Sequence, residues 1–169
     1  MESTRDYMQT ESKKLNGAKV GVPTRNMQFS LPTDIPRYFA YNGSVVGTAL
    51  MAVFSAIFPP GERFFVESVR YFKGNVKDET LKARISGFVG QEMMHTREHE
   101  RLNEWFSSQG FDMAIPEKLI EMSLAACKNF SPTQQVAATS FMEHFTANLA
   151  AEWLTNMEFR NSVNPQMLK

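Results

Sequence analysis

Between residues 45 and 157 apolar side chains recur every three or four positions, the repeat of an α-helix, and no stretch alternates apolar with polar as a half-buried strand would. The first run, Val45 to Phe58, is expected to stop at Pro59-Pro60, because proline lacks a backbone donor and restricts the residue before it. Pro60 then suits the first turn of a second helix reaching about Lys73, in which Phe58, Glu62, Phe65, Val69 and Phe72 make one stripe. Gly74 and Asn75 end it. Asp78 is a cap for a long helix running to about Gln109 and closed by Gly110, with the stripe Leu81, Ile85, Phe88, Glu92, His95, His99, Leu102 and Phe106. A short connecting helix is expected over Pro116 to Cys127. The last helix opens at Ser131-Pro132 and runs to about Asn156 on the stripe Val136, Thr139, Glu143, Ala147, Ala150, Leu154 and Met157. Residues 1–36 carry Gly17, Gly21, Pro23, Pro32 and Pro36 without a sustained period and read as an extended or partly disordered arm draped over the body. The rest, 37–169, reads as a single all-α domain.

The informative positions are polar residues standing where the stripes should be apolar. Glu62, Glu92 and Glu143 each occupy the middle of such a stripe, on three successive helices. Glutamate is rarely buried without a partner, and burying an isolated carboxylate costs several kcal/mol. One glutamate on a stripe is more often a rim residue paired with Arg or Lys. Three that converge should repel each other, which calls for a cation. His95 stands three residues after Glu92 and projects from the same face, so one helix offers an oxygen and an imidazole nitrogen to one ion. His99 continues the stripe by one turn, as an additional ligand or as a group orienting a ligand carboxylate. His144 lies about 100° around the helix from Glu143 and is a poor candidate. Glu98, Glu100 and Glu104 are expected to form a solvated face with Arg97 and Arg101.

Composition narrows the classes. The 169 residues suffice for one domain with a core, and 43% apolar with 21% charged is ordinary for a globular chain. Lys plus Arg equals Asp plus Glu at 18 each, so charge gives no argument for a nucleic-acid partner. Cys127 is the only cysteine, which excludes an internal disulfide and a Cys-based zinc site, and fits a reducing, cytoplasmic setting. The N-terminus is polar and lacks the apolar stretch of a secretory signal. Val45 to Pro59 falls short of the ~20 residues of a membrane span, so burial within the fold is preferred over a membrane surface. No Gly-x-Ser-x-Gly elbow and no phosphate-cradling glycine loop is present. The 14 phenylalanines and 11 methionines suit an irregular helical core.

Three segments, FPPGERFFVESVRYF (58–72), GFVGQEMMHTREHERLNEWF (87–106) and FMEHFTANLAAEWL (141–154), resemble the bacterial family of predicted metal-dependent hydrolases, across roughly residues 20–169. That family is similar to the ferritin-like di-iron superfamily. The resemblance implies a four-helix bundle around a carboxylate-bridged iron pair, with another divalent metal as the alternative. It carries Glu62 onto the first-helix carboxylate, Glu92 and His95 onto the second-helix pair and Glu143 onto the third. Family members continue with a fourth helix bearing another Glu-x-x-His pair, whereas this sequence ends at Lys169. Half of the second metal's ligands are then missing, which a shortened product, a helix from another chain, or a site for one metal or none would each explain. Shortening is favoured. An apolar seam left open would promote self-association.

Such a site activates dioxygen or sharpens a water into a nucleophile. The ligand pattern favours the oxidation and the family label the hydrolysis, on a small organic substrate walled by Phe65, Phe88 and Met94. Two other readings stand beside the enzyme. One is a non-catalytic helical module whose seam binds a partner helix or membrane surface; the other is an iron-handling protein.

Overall fold

The computed structural model describes residues 17–168, so the first sixteen residues of the expected arm lie outside the described residues. Within them the regular structure is entirely helical: α1 (Val45–Lys73), α2 (Glu79–Ser108), α3 (Ala114–Cys127), α4 (Pro132–Thr155) and α5 (Met157–Ser162), with short 3-10 turns at Ala18–Val20 and Pro165–Leu168. The all-α expectation holds. Local chemistry starts the helices where the sequence places the caps. The Asp78 carboxylate accepts from the Thr80 and Leu81 amides. Ser131 and Gln134 form a reciprocal capping box, with Pro132 in the first turn of α4.

The Pro59-Pro60 stop is corrected. α1 runs through both prolines as one 29-residue helix. Proline's fixed φ is helical, and what is lost is the pair of hydrogen bonds that the Ser55 and Ala56 carbonyls would accept. Both prolines are buried, as are Ala52 and Ala56 before them and Phe64 and Phe65 after them. Burying each such phenylalanine is worth roughly 1.5–3 kcal/mol, so the two together with the buried alanines and prolines can match an interruption costing about 3 kcal/mol per proline. The continuous helix is also long and apolar enough, by length and composition, to cross a membrane, so the expectation that the apolar run is too short is revised. It serves here as the central element, against which α2, α3 and α4 all pack.

The main core lies at one end of the α1–α2 pair, where Phe39, Ala40, Ala52, Ala56, Trp105 and Phe106 meet Val163 of the C-terminal segment. The Phe39 ring contacts those of Trp105 and Phe106 at 5.6 and 5.9 Å. Asn156 ends α4 and caps α5 by accepting from the Phe159 amide, which turns the chain back toward this core. The return is fastened by Asn42 N–H donating to the Ser162 carbonyl and Asn164 N–H to that of Phe39.

α4 is anchored to α1 by a buried hydrogen bond between the Ser68 and Thr139 hydroxyls, 2.7 Å apart. Its inward face departs from the expected stripe in the second half. Ala147, Ala150 and Leu154 are exposed, whereas Thr146, Leu149 and Trp153 are half-buried. Both sets are largely apolar, so spacing could not choose between them. The opposite side leaves Phe141 and Phe145 exposed.

Residues 22–36 have no regular structure and lie along α2. Gly87 and Gly90 make the close approach possible: a Cβ would come within 2.5 Å of the Val22 carbonyl oxygen at the first and 2.4 Å of Thr24 Oγ1 at the second. The amide side chain of Gln91 donates to the Pro23 carbonyl, Arg97 to that of Met27, Arg101 to that of Phe29 and the Trp105 indole to that of Pro32. Glu98 is therefore not on a solvated face. It is buried under the arm, where its carboxylate accepts from the Phe29 amide and from both Arg97 and Arg101. Despite burial, those donors hold its pKa below the usual range. Substituting Gly90→Leu is expected to lift the arm while helix content by circular dichroism stays unchanged. Proteolytic cleavage between Arg25 and Arg37 should then run about tenfold faster, equivalent to about 1.4 kcal/mol of lost docking.

Candidate metal centre

α1 and α2 bring the acidic stripe together with the histidines. Glu62 is only 1% exposed, although it is a carboxylate in the middle of a helix. One of its oxygens, Oε2, accepts from the Thr96 hydroxyl at 2.6 Å. The other, Oε1, lies 2.7 Å from His95 Nδ1. Apart from that contact Oε1 is a buried oxygen with no hydrogen-bond partner. An acceptor oxygen and an imidazole nitrogen converging in this way suit two ligands of one cation.

His99 completes the group. Ligand atoms of Glu62, His95 and His99 all lie within 4.8 Å of one another. Three donors bound at 2.0–2.1 Å to one ion stand about 3.4–3.6 Å apart, so the side chains would close in by up to about 1.4 Å on binding. The set Glu, His, His suits a catalytic zinc or a non-haem iron centre that keeps positions open. Phe58 stacks on the His99 ring at 4.3 Å with planes 4° apart, which fixes the ring's plane.

Glu92 and Glu143 stand beside this trio rather than within it. The Glu92 carboxyl is pushed up to about 8 by burial and then by the charges of Glu143 and Glu62, with His95 acting in the opposite direction. Glu143, half-buried on α4 one turn after Thr139, is raised by burial and by Glu62. His95 is raised by its contact with Glu62 against the effect of burial, and by the three carboxylates together. Burial pushes His99 down to about 3, helped by the charge of His95, so it stays neutral, the form that donates a lone pair. Carboxylates that hold each other's protons, next to neutral imidazole, are what a divalent cation would relieve. The residues present fit such an ion.

Of the five residues singled out in the sequence, the structure gathers Glu62, His95 and His99 into one donor set and keeps Glu92 and Glu143 within electrostatic reach. His99 thus has a larger part than its place as an additional candidate implied. Thr96 escaped notice, as did Ser55 and Asn103, whose hydroxyl and amide reach toward His99. A signal existed. Ser55 lies seven residues before Glu62, and Asn103 four after His99, so each continues a stripe with another polar residue. Around the site, His95 and Glu98 border two hollows under the arm. One, of about 360 Å³, is lined by Met27, Phe29, Gln91, Glu92 and Met94; the other, of about 190 Å³, by Leu31, His99, Leu102 and Met167. Glu143 and Phe88 share a third, shallow hollow with Val69 and Val136. A larger depression of about 730 Å³ at the α4–α5 corner, around Trp153 and Phe159, includes no histidine and lies apart from these groups.

A helical chain with a Glu and His donor set at its centre belongs to a metal-binding class. The family described as predicted metal-dependent hydrolase matches residues 23–169, and the chain belongs to it. No curated protein and no solved structure matches the chain.

The raised carboxyls set a pH dependence for the metal-free protein. Between the ordinary value of 4.5 and about 8, folded Glu92 keeps a proton that the unfolded chain has released, so stability falls as pH rises through that window. His95 and Glu143 act in the same direction. His99 opposes them only below its ordinary 6.5. The melting midpoint of chelator-treated protein is therefore expected to drop from pH 6.5 to pH 8 and to flatten in Glu92→Gln. Scanning calorimetry in matched buffers checks this.

Proposed function

We propose that the chain hydrolyses a small organic substrate with a divalent ion held by Glu62, His95 and His99. The observation that carries this reading is the buried Glu62 oxygen facing two imidazoles, a three-ligand arrangement with open sides. The bound ion would supply Lewis acidity, polarising a substrate oxygen and lowering the pKa of a water. Glu92 would take that water's proton: it lies within electrostatic reach of Glu62 and His95, and a cation that offsets the shared negative charge would leave it ionised as a base. Thr96 holds the Glu62 carboxylate in position through Oε2. The arm walls the two hollows that meet at His95, with Phe29 and Leu31 facing Leu102 and Met167, a lining suited to a small apolar group.

A second reading is favoured by a separate observation, the presence of two further carboxylates, Glu92 and Glu143, within reach of the trio. Those supply the extra ligands of a carboxylate-bridged iron pair in a ferritin-like arrangement, with oxygen activation as its chemistry. Metal content after reconstitution separates the two. Hydrolysis predicts about one zinc or manganese per chain and metal-dependent cleavage of a small ester such as p-nitrophenyl acetate. Two irons per chain with dioxygen uptake would support the second reading and displace the first.

In the hydrolytic case Glu62→Ala is expected to lose both metal and turnover. Glu92→Gln should keep metal while lowering kcat about 10²-fold, the lower range for loss of a general base. Loss of metal in the glutamine variant would instead make Glu92 a ligand.

A further inference from the structure

Ser55, Asn103 and Glu117 form a line of polar groups that ends on His99. Ser55 and Asn103 are 3% and 5% exposed, Ser55 within an otherwise apolar stretch of α1 and Asn103 on the inward side of α2. Ser55 Oγ lies 3.1 Å from His99 Nδ1 and 2.6 Å from Asn103 Oδ1, and Asn103 Nδ2 lies 3.3 Å from Glu117 Oε1. The direction of every proton in this line follows from its far end. The Glu117 carboxylate can only accept, so the Asn103 NH2 must turn toward it and Asn103 Oδ1 toward Ser55. An amide oxygen only accepts, so Ser55 spends its single hydroxyl proton there. What remains to Ser55 on the other side is a lone pair. His99 Nδ1 must then carry the hydrogen and donate it.

We infer that Glu117, Asn103 and Ser55 are positioning residues that fix His99 as its Nδ1–H tautomer, leaving the Nε2 lone pair free as a metal donor. The inference rests on the metal-site reading for its use and on the hydrogen-bond line alone for its geometry. With Phe58 stacked on the ring, both the plane of His99 and its proton are held by groups other than the ion. Such outer partners of a ligating histidine set its orientation and basicity, and their loss lowers metal affinity by about 10–100-fold. Neither the hydroxyl nor the amide is near enough in sequence to Glu117 for the line to be local: it joins α1, α2 and α3.

The test uses two readouts on the full chain. Two-bond ¹H–¹⁵N correlation spectra of the metal-free protein report the His99 tautomer, and Co²⁺ titration with its visible absorption reports affinity and coordination. Wild type is expected to show Nδ1–H, and Ser55→Ala a shift toward Nε2–H with Co²⁺ affinity about 10–100-fold weaker. Asn103→Asp alone sets a second carboxylate against Glu117 and should weaken Co²⁺ binding. Asn103→Asp with Glu117→Gln exchanges donor and acceptor at that link and should restore it. A wild-type His99 found as Nε2–H overturns the inference, as does unaltered Co²⁺ affinity in Ser55→Ala or a double variant no better than Asn103→Asp. The wild-type spectrum decides the matter even where a variant fails to fold. Failure of wild type to bind any divalent ion overturns the proposed function separately, since the tautomer is read without metal.

Discussion

Glu62 lies where α1 packs on α2, almost wholly removed from water, and the way its charge is met organises what surrounds it. One oxygen is satisfied by Thr96 and the other has only the His95 ring against it. A carboxylate in that position is costly unless a positive charge joins it, because desolvation is only partly recovered by one hydroxyl. The same cost spreads outward: burial and then the neighbouring carboxylates raise Glu92, and burial and Glu62 raise Glu143.

The arm is the second device in the molecule. It lacks regular structure, and its backbone carbonyls are met by Gln91, Arg97, Arg101 and Trp105, all on α2. Glu98 binds the two arginines and the Phe29 amide at once, so a buried charge is kept ionised by three donors. Two neighbouring glutamates on one helix, Glu92 and Glu98, are thus driven in opposite directions. Glu98 meets guanidinium groups, whereas Glu92 meets other carboxylates. The arm that covers the first also walls the hollows beside His95 and His99, so the ion pairs of Glu98 hold the walls of those hollows.

His99 shows how an imidazole is made ready for an ion. Burial removes its charge, Phe58 sets its plane, and the line through Ser55 and Asn103 assigns its hydrogen. Each acts from a different direction, and together they present one nitrogen toward Glu62 and His95. Family membership and this preparation point to the same kind of chemistry from independent grounds, one from the chain as a whole and one from a few atoms.

Much of this was legible in the residues themselves. The caps at Asp78 and Ser131 depend on groups two or three positions away, and the helical repeat put Glu62 and Glu92 on inward faces, where both are buried, whereas His95, expected on the same inward stripe, has a side chain 52% exposed. The resemblance supplied the family. What the sequence could not determine were outcomes set by distant partners. Pro59-Pro60 continues a helix because burial on both sides outweighs the lost hydrogen bonds. Glu98 is buried because Phe29, 69 positions earlier, lies over it. The inward face of α4 passes through Leu149 and Trp153 because Phe54 meets Trp153 there, while an apolar sequence on all sides left the choice open. Periodicity settles which side of a helix is inward when only one side is apolar; packing settles it when several are, and packing alone brings a hydroxyl, an amide and an imidazole from separate helices into one line.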